Sequence, residues 1–311
     1  MSDTDSTFYS DRAGKAIPRT IEEVSGDAWR GLVALIRRHL SNGSLARAFP
    51  EQHCPDEGGA ITGTDEEMFL DSLAGHIPRI SHDVLLERQP PDTTTVLDII
   101  DFVALHIDRP SRRSSHSYFR HEHLYFGDHR ADDWLGDELT PGQAGLRDDI
   151  NLIFARNGIT FTLNEDMRVH RLGPPEARPL ISDFKPATGD PQLDAKLNDA
   201  MTRFLSRAPA DRQDALEKLW DAFERLKTLE LGGQKKDSAA KLLDATAPEP
   251  FRTELDAEFK TLTGIGNNFT IRHHEHDKHD LPSDAAFDYV FIRLASLIAF
   301  VLRQTGRMGA G

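Results

Sequence analysis

Cysteine is nearly absent: the chain of 311 residues has one, Cys54. A lone thiol excludes an internal disulfide, and with it the cross-linked framework on which small secreted domains depend. Alone it is also a weak nucleophile, and no role is assigned to it. A basic excess is missing as well. Lys and Arg number 37 against 51 Asp and Glu, a net charge of −14, which argues against a protein that binds nucleic acid through a broad cationic surface. Contact with phosphates has to be local, at Arg112 with Arg113, Arg203 with Arg207, or Lys235 with Lys236, pairs that otherwise read as solvated surface. The first residues, Met1 to Ser6, are polar and acidic, without the basic end and apolar stretch of a signal peptide. Apolar runs long enough to cross a bilayer are also missing, so the expectation is a cytoplasmic, globular chain with no membrane partner. A Gly-rich phosphate loop is lacking too, because Gly264-Ile265-Gly266 has neither a third glycine nor a preceding strand.

What is present is helical periodicity, over a length that suits two domains with separate cores. Trp29, Leu32, Val33, Ile36 and Leu40 fall on one helix face that stops at Asn42-Gly43. Thr64 with Glu67 has the spacing of a capping box ahead of Phe69, Leu70 and Leu73. Val96, Ile99, Ile100, Val103 and Ile107 make a further face, as do Leu146, Ile150, Ile153 and Phe154, closed by Asn157-Gly158. Residues 159–163 and 167–171 alternate around Asn164-Glu165-Asp166, the pattern of a β-hairpin. A hairpin after a helix can serve as a nucleic-acid wing, but a small capping element is the plainer reading. Gly173 to Pro179, with three prolines, reads as a hinge between domains. Beyond it lie four helical stripes: Leu193, Leu197, Met201 and Phe204; Leu216, Leu219, Trp220, Phe223 and Leu226, ending at Gly232-Gly233; Phe251, Leu255, Phe259 and Leu262, ending before Gly264; and Phe287 to Leu302. The last is apolar over more than one stripe, as suits the central helix of a bundle or a dimer seam.

Titratable chemistry concentrates in Arg272-His273-His274-Glu275-His276-Asp277-Lys278-His279, just ahead of the last helix. An arginine can bind and charge-stabilise a scissile phosphate, and a histidine titrating near neutrality can take or give the proton of a ribose hydroxyl. The same side chains could ligate a divalent metal, and His121-Glu122-His123 with Asp128 and His129 forms a second such group. Neither group has the His-Glu-x-x-His spacing that sets two ligands and a base on one helix face. The second reads as a polar loop near Gly127 and Asp132-Asp133. No metal and no cofactor is assigned.

The C-terminal half, an Arg followed within a few residues by a His before the last helix of a bundle, resembles the HEPN superfamily as found in bacterial abortive-infection proteins. The N-terminal half resembles the domain that precedes such regions in AbiJ-type phage-defence proteins. That likeness rests on Phe8-Tyr9-Ser10-Asp11-Arg12, on Arg19-Thr20-Ile21-Glu22 and on the helix and hairpin from Ile150 to Val169. The resemblance implies a mainly α fold with two parts. Residues 1–175 form a helical N-terminal domain with a small β-hairpin, a sensor or regulator, and residues 185–306 a HEPN-like helical bundle. It further implies a metal-independent endoribonuclease, acting on RNA such as tRNA in phage defence and working as a homodimer through the C-terminal domain. Arg272 and His279 match its catalytic pair, and His273 its polar position. Six residues separate that pair, the long end of the family's range, whereas His276 stands too close to Arg272. Asn268, His274, Glu275 and His276 are auxiliary candidates, and Asp221, Glu224 and Arg225 either face the cleft or sit on an ordinary charged helix face. Two alternatives stand beside this reading. One is a non-catalytic module that binds a nucleotide, RNA or a toxin partner, and the other is a metal-dependent hydrolase built on the His-rich cluster.

Overall fold

The computed structural model describes residues 8–56, 58–116, 121–127, 139–206, 208–231, 234–269, 271 and 278–309. Among them the chain is mainly helical, with eleven α-helices and two separate two-stranded antiparallel hairpins. It divides into two units, Met1–Arg171 and Leu172–Gly311, each with its own hydrophobic core.

The first unit holds α1 (Tyr9–Arg12), α2 (Gly26–Ser41), α3 (Glu66–His76), α4 (Thr93–His106), β1 (Arg112–Ser115), β2 (Glu122–Tyr125), α5 (Pro141–Arg156), β3 (Phe161–Leu163) and β4 (Val169–Arg171). Helices α2 to α5 begin where side chains can satisfy the open N–H groups of a first turn. Ser25 caps α2 and Asp92 caps α4, while Thr140 and Gln143 close a full capping box at α5. At α3 the cap is Asp65, which accepts from the Met68 N–H at 2.9 Å, and not the Thr64 expected from spacing. Thr64 instead bridges Pro50 in extended backbone. Helix α4 buries Val96, Leu97, Ile99, Ile100, Phe102 and Val103, so it presents apolar surface on nearly every side and forms the centre of this core. Trp29, Leu32, Ile36 and Leu40 of α2 pack into the same core, as do Leu146, Ile150 and Phe154 of α5.

The β3–β4 hairpin pairs Phe161 with Arg171 and Leu163 with Val169. Asn151 of α5 acts as a surrogate strand along it, donating to the Leu163 carbonyl at 2.9 Å and accepting from the Leu163 N–H at 2.8 Å. The N-terminal segment lies against the same region. Ile21 bridges Ile159, Arg19 donates to the Ile159 carbonyl, and Glu22 accepts two bonds from the buried Arg171, at 2.9 and 2.7 Å. The Arg19 to Glu22 stretch is therefore structural. The β1–β2 hairpin has no counterpart in the periodicity, because the strand Arg112-Arg113-Ser114-Ser115 carries no apolar alternation.

The second unit holds α6 (Arg178–Ser182), α7 (Pro191–Phe204), α8 (Pro209–Leu226), α9 (Lys235–Thr246), α10 (Phe251–Asn268) and α11 (Asp284–Gln304). The segment read as a hinge folds into a 3₁₀ turn, Pro175–Ala177, and then α6, its prolines sitting in first turns where no N–H is needed. Helix α9 leaves no stripe in the sequence, because its buried Leu242 and Leu243 are too few. Helix α10 continues past Gly264, the expected stop, to Asn268, and the glycine that packs is Gly266. A Cβ on Gly266 would come within 2.0 Å of the Trp220 ring of α8. Helix α11 is the central helix, burying Val290, Phe291, Leu294, Ile298, Val301 and Leu302, with Phe291 stacked on Phe204 of α7 at 4.0 Å. By length and composition α11 could cross a membrane, contrary to the expectation that no such run exists. Here it packs with α6, α8 and α9.

Candidate functional site

Of the residues singled out near the C-terminus, Asn268 and His279 are described, whereas Arg272, His273, His274, Glu275 and His276 lie outside the described residues. Asn268 ends α10, and its carbonyl accepts from the His279 N–H at 3.1 Å. Phe269 and His279 form a β-bridge, with their rings 6.4 Å apart edge to face. His279 is thus held in extended backbone and not at a helix end, and its side chain is exposed. Ile271, the residue before Arg272, is buried in the core, and its N–H reaches the Phe269 carbonyl at 2.7 Å. Both flanks of the Arg272 segment are therefore anchored at the end of α10.

Next to this corner lies a cavity of about 400 Å³ lined by Arg212, Asp280, Ser283 and Asp284, among others. Arg212 is a buried guanidinium at the start of α8, 3.6 Å from the exposed Asp284 carboxylate. Sequence reasoning passed over it, though the signal is there: Arg212 shares the apolar stripe of Leu216, Leu219 and Phe223, where a cation is out of place unless it is held. Asp221, Glu224 and Arg225 are engaged elsewhere. Asp221 pairs with Lys196 at 3.0 Å and Arg225 with Asp190 at 2.8 Å. Glu224 binds both Lys227 and Lys235. Burial pushes the Glu224 carboxyl up, but the two ammonium groups more than offset this and hold it below its ordinary range. Burial also pulls the Lys227 ammonium below the usual lysine value, against the opposing pull of Glu224.

Of the three basic pairs, Arg203 is neutralised by Asp199, Asp211 and Asp214, and Arg207 lies outside the described residues. Lys235 is taken by Glu224. Arg112 and Arg113 differ, because together with Arg38 and Arg109 they line a cavity of about 520 Å³ in the first unit. Arg38 is paired with Asp149 and Arg113 with Glu122, while Arg112 lies 4.0 Å above the Tyr125 ring. Among the described residues Arg109 makes no ion pair. His39 lies beneath them, only 7% exposed, with both ring nitrogens lacking a hydrogen-bond partner. Burial, helped by the neighbouring Arg38 charge, pushes its pKa down to about 4. The result is a local concentration of guanidinium groups on an otherwise acidic chain.

The same hairpin carries histidines. Ser114 pairs with His123, and the His116 N–H reaches the His121 carbonyl at 2.9 Å, so the register sets His116, His121 and His123 on one face. The Nε2 atoms of His121 and His123 are 2.9 Å apart, and the Cys54 thiol lies with them. Asp128 and His129, which the sequence grouped with this cluster, lie outside the described residues. No family model matches the chain, and neither does a curated protein or a solved structure.

Proposed function

We propose that the chain is a metal-independent endoribonuclease of the HEPN type, cleaving RNA such as tRNA in the cytoplasm as part of phage defence, and acting as a homodimer. The N-terminal unit serves as sensor or regulator. The observation that carries this reading is the anchoring of the Arg272 segment: buried Ile271 before it, exposed His279 after it, and a backbone bond from His279 to the end of α10. In such a site Arg272 holds the non-bridging phosphate oxygens, and His279 takes the proton of the ribose 2′-hydroxyl or gives one to the leaving oxygen. The partner copy supplies the complementary pair, and the product carries a cyclic phosphate. His273 and Asn268 assist at the rim.

A second reading, a non-catalytic RNA-binding or nucleotide-binding module, draws on the cavity of Arg38, Arg109, Arg112 and Arg113. One experiment separates the two. Wild type, Arg272→Ala and His279→Ala are incubated with total bacterial RNA in EDTA, with circular dichroism recorded to show that the fold persists. The nuclease reading expects cleavage with cyclic phosphate ends in wild type and at least a hundredfold loss in both variants, in line with the roughly 10²–10⁴-fold contribution of general acid–base catalysis. Binding without cleavage by any of the three proteins supports the module, and cleavage only on addition of metal overturns the metal-independent mechanism.

A further inference from the structure

We infer that Cys54, His116, His121 and His123 form a structural zinc site that fastens the β1–β2 hairpin to the segment bearing Cys54. Cys54 thereby acquires the role that the sequence withheld from it. The core of the site is the trio of Cys54, His121 and His123, whose ligand atoms all lie within 4.8 Å of one another. Cys54 is 2% exposed and His123 is fully buried. His116 is not in that trio, but its ring stands beside it and would supply the fourth donor by turning inward. Its ring centre is 5.2 Å from that of His121 and 5.1 Å from that of His123, and those two rings are 4.8 Å apart. With Zn–N bonds of about 2.0–2.1 Å in a tetrahedron, the centres of two bound imidazoles stand about 5 Å apart, so the ring positions suit one ion, with the His116 nitrogen left to rotate into place.

A carboxylate stands near enough to serve in the second sphere: the His116 Nε2 is 3.8 Å from an Asp56 oxygen, an ion-pair distance that a bound ion would have to shorten to a hydrogen bond. A ligating histidine that gives its remaining N–H to a carboxylate is the usual arrangement. One thiolate with three imidazoles is a borderline-soft donor set that selects zinc over the oxygen-seeking Mg²⁺ and Ca²⁺. With Cys54 and His123 inaccessible to water and His116 as the fourth ligand, the site would be closed, and its task structural.

The local architecture gives a reason for such a fastening. Strands β1 and β2 have four residues each, and a lone two-stranded ribbon is marginal in water. The segment carrying Cys54 is held by single bridges, Pro50 to Thr64, His53 to Ile61 and Ile61 to Leu124. The buried Cys54, Ala60 and Leu124 stand apart from the main hydrophobic cluster of the unit. Where apolar burial is this thin, metal-binding free energy becomes folding free energy. A hydrogen-bonded pair of imidazoles beside a buried thiol is the competing account of the same contacts.

Metal content decides between them, and because it is read on the protein itself, its outcome is independent of the nuclease result. Full-length protein from zinc-supplemented culture is assayed by plasma mass spectrometry, together with Cys54→Ser, His123→Gln and the exposed-histidine control His82→Gln. One zinc per chain is expected in wild type and the control, and none in the other two. Asp56→Ala should bind zinc about 10–100-fold more weakly. Should Cys54→Ser fail to fold, metal-free wild type is titrated with Co²⁺ instead. A thiolate-to-cobalt charge-transfer band with tetrahedral d–d absorption supports the site. Wild type that carries no stoichiometric zinc and binds Co²⁺ without that band overturns it.

Discussion

His39 is buried in α2 with both ring nitrogens unsatisfied, an unusual state for a side chain that water would solvate well. Its pKa of about 4 lies below the ordinary histidine value of 6.5, so the fold favours the neutral ring. Above pH 6.5 both folded and unfolded chains hold it neutral, and the stability is fully present. As the pH falls from 6.5 towards 4, the unfolded chain takes up a proton that the folded chain refuses, and stability declines by up to on the order of 3 kcal/mol. Urea denaturation between pH 4 and 7 should show that slope in wild type and a shallower one in His39→Leu; parallel slopes would show that this ring does not drive the acid sensitivity. Arg38 adds to the pressure against a second positive charge, and Asp149 opposes it.

Among the elements, the pairing of α8 with α10 turns on one missing side chain. Gly266 lets the two helices approach over Trp220, and nearby Phe223 packs on Phe259 at 5.1 Å while Lys227 donates to the Thr263 hydroxyl at 3.1 Å. Gly266→Ala would raise helix propensity and still destabilise, because its methyl group meets a rigid ring at 2.0 Å. A loss of about 1–3 kcal/mol is expected, measured as a lowered thermal midpoint, and a stabilised variant would mean that the helices separate freely. In the sequence the nearby Gly264 looks like a terminator and Gly266 draws no packing role, because spacing along a chain does not reveal which neighbour a glycine admits. Stripes such as Leu193, Leu197 and Met201 are legible, since one helix buries them whatever it packs on. The β1–β2 hairpin is not, because its strands depend on partners distant in the chain: Leu124 donates to the Ile61 carbonyl at 2.7 Å and rests on Gly43. The proposed zinc ligands are half legible. His121 and His123 share one strand face, but Cys54 joins them only through the fold. At the other site, the titratable run around Arg272 stands out at once, whereas Arg212 leaves only the weaker trace of a cation on the apolar stripe of α8, which burial makes plain.

At the scale of the whole molecule, an acidic chain confines its cationic surface to a few places, and the two readings of function divide along that line. The arginine-lined cavity belongs to the first unit, and His279 with its anchored segment to the second. The two cores also differ in what holds them: the first surrounds α4 and the second surrounds α11. Each core encloses one tryptophan, Trp29 with its indole N–H bonded to the Glu87 carbonyl at 3.0 Å, and Trp220 against Gly266. With Trp134 replaced by phenylalanine, Trp29→Phe leaves an emitter in the second unit alone, and Trp220→Phe leaves one in the first. Urea titrations followed by emission wavelength should give two red shifts at different midpoints, whereas coincident curves would mean that the units melt as one. The chain thus carries a natural fluorophore in each half, so that binding of RNA or of metal to one unit can be followed by its own colour change.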